Sequence, residues 1–370
     1  MAGGSLVLTL DAGGTSFRFS AVEAGRPAAE TVVLPPMGHD LDACLGQLRA
    51  GFAAVHEATG RAARAISFGF PGPADYAAGI IGDLENLPGF RGGVALGPML
   101  EDVFGLPVFI RNDGDLFALG EARQGRLPEV NAELAAAGSA FRHRNLLGLT
   151  LGTGFGAGIV TEGRLLRGDN GAAAEIWLLR GKLRPDRTAE EGVSIRALRR
   201  AYAEAAGLAL PEVPEPKVLA AIARGEAPGA RGAAVEAFRA FGEAAGDAIA
   251  QALTLVDGLV VIGGGLAGAA DLFLPALMAE LDGTLATAAG RPLPRLEQEV
   301  FNLEDPARRG AFLADAPRDL AVPGSGRILR HDPRKRAGLA LTRLGTSRAI
   351  ALGAWEVAME ALADREGLDR

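Results

Sequence analysis

Apolar positions in the first third of the chain recur with two different periods. In SLVLTL (residues 5–10), FRFSAV (17–22) and ETVVLP (30–35), apolar and β-branched residues recur with period two between turn signals. The pattern predicts a three-stranded antiparallel meander. From Leu41 the period lengthens, and Leu41, Cys44, Leu45, Leu48, Phe52 and Val55 fall on one helical stripe. An apolar strand over 65–70, a loop opened by Pro71-Gly72-Pro73, a helix near 94–104 and a strand over 107–111 complete one α/β domain.

A helix starting near Gly114 leads to a second meander, LLGLTLGTGFGAGIVTEGRLL (146–166), whose LTLGTGFG echoes the earlier LTLDAGGT (8–15). A strand running into a glycine turn and a hairpin, once in each half, is what a duplicated domain leaves behind. Helices over 194–205 and 230–255, a buried strand LVVIGGG (259–265) and a helix from Ala270 follow. Residues 292–336 read as irregular. A last helix from Ser347 places Ile350, Gly353, Ala354 and Val357 on one face, with Thr346 or Ser347 as its cap. The expected division is 1–115 with 347–370 as a smaller domain and 116–346 as a larger one, with a cleft between them.

Composition narrows the function. The chain has 370 residues, 48% of them hydrophobic, and a formal net charge of -7, so a large core and two domains are expected and a basic nucleic-acid face or polybasic membrane segment is not. The N-terminal apolar run has no basic region before it and stops at Asp11, too short for a signal peptide or a spanning helix. A cytoplasmic location is expected. Cys44 is the only cysteine; it excludes an internal disulfide or a multi-cysteine zinc site, and its place on the apolar stripe makes it a core residue.

The glycine turns carry the chemistry. N–H groups of a tight glycine turn point one way, and the missing Cβ lets a phosphate approach the backbone. An acid beside such a turn repels phosphate unless a cation intervenes, so Asp11 in DAGGT (11–15) implies Mg²⁺ bridging to a nucleotide through water. The second turn, GTGFGA (152–157), fits a loose dinucleotide pattern with Glu175 near the ribose-acid position, but Gly158-Ile159-Val160-Thr161 continues as strand where that motif requires a helix. None of the three lysines, Lys182, Lys217 and Lys335, stands in a Walker A loop. Between the turns, FIRNDGDLFALGE (109–121) delivers Asn112 and Asp113 to the start of a helix, at the ligand-binding end of an α/β sheet. One cap suffices there, so one acid of Asp113 and Asp115 is free for chemistry. The third cluster, Gly263-Gly264-Gly265, is either a tight strand-to-helix turn or a flat surface for adenine or ribose.

In this order and spacing, DAGGT, NDGD, GTGFGAG and IGGG resemble the motifs of the ROK family of sugar kinases, within the actin-like, hexokinase-like ATPase superfold. GFPGPAD…GIIGDLENLPGF (69–90) is similar to the family's sugar-loop segment and GDNGAAAEI (168–176) to the segment ending in a sugar-binding glutamate. The resemblance implies two ribonuclease H-like α/β domains flanking a nucleotide and sugar cleft, ATP and Mg²⁺ as cofactors, a sugar as substrate and a homodimer. It places Asp11, Gly13, Gly14 and Thr15 in the first phosphate motif, Gly152, Thr153, Gly154 and Gly156 in the second, and Gly264 and Gly265 in the adenosine motif. Asp113 stands as catalytic base for transfer to the 6-hydroxyl of glucose, mannose, fructose or a related hexose; Asn86, Asn112, Glu175 and Glu190 stand at sugar-binding positions.

The departures form one pattern. Where the family has E-x-G-H the chain reads Glu175-Ile176-Trp177-Leu178, and LRGKLRPDRTAE replaces the family's C-x-C-G-x-x-G-C cluster. Histidine and cysteines are lost together, which implies a branch without structural zinc in which another packing arrangement, including Trp177, supports the sugar loop. The alternative of a non-catalytic, sugar- and nucleotide-binding regulator is disfavoured by the presence of Asp11 and Asp113. A sugar-responsive repressor would carry a helix-turn-helix domain before the first motif, whereas Asp11 lies ten residues in.

Overall fold

The period-two segments pair as their pattern requires. In the computed structural model, which describes residues 5–13, 16–83 and 87–367, β1 (Val7–Ala12) runs antiparallel to β2 (Phe17–Glu23), and β2 also carries β3 (Arg26–Pro27) and β4 (Val32–Leu34). The helical stripe forms α1 (Leu41–Ala58), whose cap Asp40 accepts from the Ala43 N–H at 3.1 Å and which buries Cys44, Leu48, Phe52 and Val55. Burial pushes the Cys44 thiol up to about 11, consistent with an inert core residue. β5 (Ala65–Gly69) joins β1 in parallel and β8 (Val108–Arg111) joins β5, giving the order β3-β2-β1-β5-β8 with β4 on β2. A short ribbon of β6 (Ala74–Asp75) and β7 (Ile80–Ile81) and helix α2 (Leu96–Phe104) lie between β5 and β8 in the chain.

The next helix, α3 (Asp113–Arg123), packs against the last, α10 (Thr346–Arg365). The two approach too closely for side chains: a Cβ on Gly353 would meet the Leu116 carbonyl oxygen at 1.9 Å, and one on Gly120 the Ala349 oxygen at 2.0 Å. The expected apolar face of α10 is buried, but its cap is Gly345, with φ 79° and no side-chain cap hydrogen bond, rather than Thr346 or Ser347. The helix already begins at Thr346, so both hydroxyl residues lie inside its first turn.

The chain divides into two units, Met1–Gly125 with Gly158–Ala174 and Leu344–Arg370, and Arg126–Ala157 with Glu175–Arg343. After α4 (Arg126–Ala136), β9 (Leu146–Leu151), β10 (Phe155–Thr161) and β11 (Arg164–Leu165) form the second meander. Strand, not helix, follows the GTGFGA turn, so the dinucleotide pattern is excluded. Helices α5 (Ile195–Ala206), α6 (Pro216–Arg224) and α7 (Arg231–Val256) lead to β12 (Leu259–Gly263) and α8 (Ala270–Leu281).

The segment expected to be irregular is mostly regular. It holds β14 (Pro292–Pro294), paired with β13 (Thr284–Ala286), then β15 (Glu299–Asn302), α9 (Pro306–Leu313) and a hairpin of β16 (Arg318–Ala321) and β17 (Ile328–His331). It ends at Arg336, the first residue of β18 (Arg336–Leu341). The second sheet has the order β11-β10-β9-β12-β18-β15. Arg336 fastens this segment: its guanidinium donates to the carbonyls of Phe312 at 2.7 Å and Ala314 at 2.9 Å and pairs with Asp315 at 2.5 Å. Beside it the His143 ring stacks on Phe312, 5.8 Å between centroids.

Candidate active site

Three parallel strands bring the acids of the first unit to one edge. Asp11 in β1 is in register with Gly69 in β5, and Gly69 with Arg111 in β8. A Cβ on Gly69 would touch the Cα of Asp113 at 3.3 Å, so the end of β5 sets the position of Asp113. Asn112 caps α3, its Oδ1 accepting from the Gly114 N–H at 2.8 Å, while Oδ1 of Asp113 accepts from the same N–H at 2.9 Å. Asp113 is exposed at the first helical turn; Asp115, two residues on, is buried. Of the three polar residues in these four positions, Asn112 is the cap and Asp113 is the exposed acid.

The Asn112 amide has a second bond, its Nδ2 donating to the Tyr76 hydroxyl at 3.4 Å, and that hydroxyl donates to the Phe70 carbonyl at 3.0 Å. Arg111 donates to the carbonyls of Ile110 at 2.8 Å and Tyr76 at 3.3 Å. Burial and the nearby Arg167 pull its guanidinium below its ordinary range, with Asp115 acting in the opposite direction. Tyr76 and Arg111 thus brace the corner that carries Asp113. Neither is visible as a site residue in the sequence, because Tyr76 meets Asn112 only through the fold.

In the second unit the glycine turns are neighbours because β9 and β12 pair in parallel, with Gly263 opposite Thr150. Gly264 has φ 90°, and a Cβ there would lie 2.2 Å from the Leu151 carbonyl oxygen; at Gly265 a Cβ would meet nothing within 4 Å. The first is a packing glycine and the second presents open backbone. Gly152, Thr153 and Gly154 form the β9–β10 turn, where the Phe155 N–H donates to Oε2 of Glu190 at 3.0 Å.

Glu175 is exposed and its carboxylate accepts from the Trp177 indole N–H. The loop that follows closes on itself through Ala189 N–H to Leu179 O at 2.7 Å and Gly181 N–H to Arg187 O at 2.9 Å. It is pinned by Lys182, whose ammonium reaches Glu280 of α8 at 2.5 Å and Glu243 of α7 at 2.8 Å. Burial pulls Lys182 down, but those two hydrogen bonds outweigh it and hold the ammonium above its ordinary range. Gly14, Thr15 and Asn86 lie outside the described residues. Among the described residues no group of three or more His, Cys, Asp or Glu side chains could hold a metal ion.

The ROK family profile matches residues 7–315. The chain belongs to the ROK family. Its two α/β units have the actin-like ATPase fold of ROK kinase structures. A glucokinase crystal structure from Parabacteroides distasonis is 51% identical, with a TM-score of 0.85, and the match covers 97% of this chain and 98% of that one. A ROK glucokinase from Streptomyces griseus, solved with glucose and AMPPNP, shares the fold at 22% identity, a TM-score of 0.59 and coverage of 96% and 99%. Among curated ROK relatives, an N-acetyl-D-glucosamine kinase of Vibrio cholerae is 33% identical over 172 residues, 46% of this chain and 51% of the relative. A Streptomyces coelicolor glucokinase is 32% identical over 211 residues, 51% of this chain and 61% of the relative. The chain therefore matches only half to three-fifths of the length of these two curated relatives.

Proposed function

We propose that this ROK protein is an ATP-dependent sugar kinase that phosphorylates a hexose at its primary 6-hydroxyl, with Asp113 as general base. The observation that carries this reading is the exposed carboxylate of Asp113, fixed at the start of α3 and aligned through Gly69 with Asp11. The 51% identity to a glucokinase over nearly its whole length supports the same class of substrate.

The sugar hydroxyl oxygen attacks the γ-phosphorus of ATP, its proton passes to Asp113, and the bond to the β,γ-bridging oxygen breaks with its electrons leaving on ADP. Positioning and electrostatics supply most of the acceleration in such a transfer. The N–H groups of the two glycine turns hold the phosphates, and the open backbone at Gly265 suits the adenosine. Asn86, Asn112 and Glu175 bind the sugar's hydroxyls, with the Trp177 indole orienting Glu175. Glu190, the other position the resemblance marks for sugar, accepts from the Phe155 N–H of the β9–β10 turn through Oε2, which leaves acceptor capacity for a sugar hydroxyl.

A hard oxygen donor at a half-exposed strand end is the chemistry Mg²⁺ selects, and Asp11 provides it. One carboxylate acting through retained water needs no cluster of acids. Asp11 would hold such an ion through water, and the ion would supply charge neutralisation at the phosphoryl oxygens.

The test is ADP release with Mg-ATP across a panel of hexoses, ketohexoses and N-acetylhexosamines, wild type beside Asp113→Asn. One preferred sugar, with turnover lost in the variant, establishes the reading and names the substrate. Folded wild-type protein that releases no sugar-dependent ADP refutes it.

A further inference from the structure

Tyr76 opens the turn of the β6–β7 ribbon, and that turn is tied at both ends. Oδ1 of Asp75 accepts from the Ala78 N–H at 3.0 Å, and the Gly82 N–H donates to the Pro73 carbonyl at 2.8 Å. Arg111 of β8 donates to the Tyr76 carbonyl at 3.3 Å, and the Tyr76 ring packs against the core of the first unit. Backbone and ring thus give the hydroxyl a fixed place. From there it donates to the Phe70 carbonyl, one residue beyond β5, at 3.0 Å.

The direction of these bonds settles the amide of Asn112. A backbone N–H requires an acceptor opposite it, so the Gly114 N–H, at 2.8 Å, faces the amide oxygen and the amide nitrogen faces the Tyr76 hydroxyl at 3.4 Å. That hydroxyl has given its one hydrogen to Phe70 and accepts from Asn112. Asn112 Nδ2–H, Tyr76 O–H and the Phe70 carbonyl form a directed chain in which each bond polarises the next. An amide nitrogen carries two hydrogens. Tyr76 takes one; the other has no partner among the described residues, on a half-buried side chain next to the exposed Asp113.

We propose that Tyr76 is a positioning residue for the sugar: it fixes the amide of Asn112 so that the second Nδ2 hydrogen is offered to an oxygen of the hexose that reacts at Asp113. This rests on the kinase reading and deepens it. A donor already oriented when the sugar arrives removes an ordering cost from binding. Without the Tyr76 hydroxyl the amide is held only at its oxygen and can turn about that bond.

The experiment varies sugar and ATP separately in steady-state kinetics of Tyr76→Phe, which removes the hydroxyl and keeps the ring. The sugar KM should rise about three- to tenfold, the worth of one neutral hydrogen bond, while the ATP KM stays within about twofold. A tyrosine that only supports the corner under Asp113 would lower kcat and leave the sugar KM unmoved. A double-mutant cycle isolates the amide. Asn112→Ser keeps a cap for α3 and removes the amide, so in that background Tyr76→Phe should leave the sugar KM where it stands while still lowering the unfolding midpoint, because Phe70 loses its donor either way. A spectroscopic readout needs no change at position 76. The chain has two tyrosines, Tyr76 and Tyr202, and the Tyr202 hydroxyl accepts from the Ala230 N–H at 3.2 Å. With tyrosine isotope-labelled at Cζ, the protein gives two NMR signals, assigned by Tyr202→Phe. Saturating sugar should shift the Tyr76 signal and leave that of Tyr202, which decides the matter even if Tyr76→Phe fails to fold. An unmoved sugar KM, an ATP KM that rises as much, an undiminished effect in the Asn112→Ser background, or a Tyr76 signal that ignores bound sugar overturns the proposal. If wild type releases no sugar-dependent ADP the kinase reading fails by itself, and titration of the labelled protein with D-glucose and N-acetyl-D-glucosamine, without ATP, still decides whether the Tyr76–Asn112 pair answers to a sugar.

Discussion

Asparagine at position 113 would keep the oxygen that accepts from the Gly114 N–H and lose only the capacity to take a proton. Asp113→Asn should therefore reduce kcat by about 10²- to 10⁴-fold, the usual worth of a general base, with the AMPPNP Kd unchanged. The paired glycines of the third turn separate packing from binding. Gly264→Ala places a Cβ 2.2 Å from Leu151 O at φ 90° and should lower the unfolding midpoint, since strain of this kind costs on the order of 1–3 kcal/mol. Gly265→Ala meets nothing; it should melt like wild type and weaken only ATP, as a thermal scan beside an ATP titration would show. The sequence made Asp11, Asn112, Asp113 and the glycines legible because they fall at strand ends in a fixed order. It could not reveal that Tyr76 braces Asn112 across 36 positions or that Glu190 faces the Phe155 N–H across 35, since such contacts exist only once the strands are stacked.

At the scale of elements, the burial of His143 has a measurable price in acid. Its ring lies against Phe312 and Phe141, its Nε2 has no partner among the described residues, and burial, then the charge of Arg336, push it from 6.5 down to about 3. The folded chain keeps this imidazole neutral while the unfolded chain protonates it below pH 6.5. Stability is therefore fully present above that pH and is lost as pH falls toward 3, by about 2 kcal/mol at pH 5. Urea unfolding at pH 7 and pH 5 should show this loss shrinking in His143→Phe. The anchoring around His143 also explains what the pattern missed. Strong period-two and period-3.6 runs announced the opening meander, α1 and α7. β15 and β16 are four residues long and open on charged residues, and β18 reads Arg-Ala-Gly-Leu-Ala-Leu with no β-branched residue, so local preference gave little signal and strand pairing decided.

For the molecule as a whole, metal should matter to turnover and not to folding. EDTA added in excess should stop ADP release and leave the unfolding midpoint of the nucleotide-free protein where it was, because Lys182 with Glu243 and Glu280 pins the loop after Glu175 without a metal. A midpoint that drops with chelator would reveal a structural ion. The indole of Trp177 has a further use. The chain contains two tryptophans: Trp355, half-buried in α10 with its N–H on the Ser5 carbonyl at 3.0 Å, and Trp177, half-buried with its N–H on Glu175. On the role proposed for Glu175, a sugar hydroxyl bound to its carboxylate would lie beside that indole bond, so the protein would carry its own fluorophore next to the proposed sugar site. Intrinsic emission should change on titration with the true substrate, stay flat with sugars that do not bind, and lose its response in Trp177→Phe, which makes a label-free survey of candidate sugars practicable before any turnover is measured.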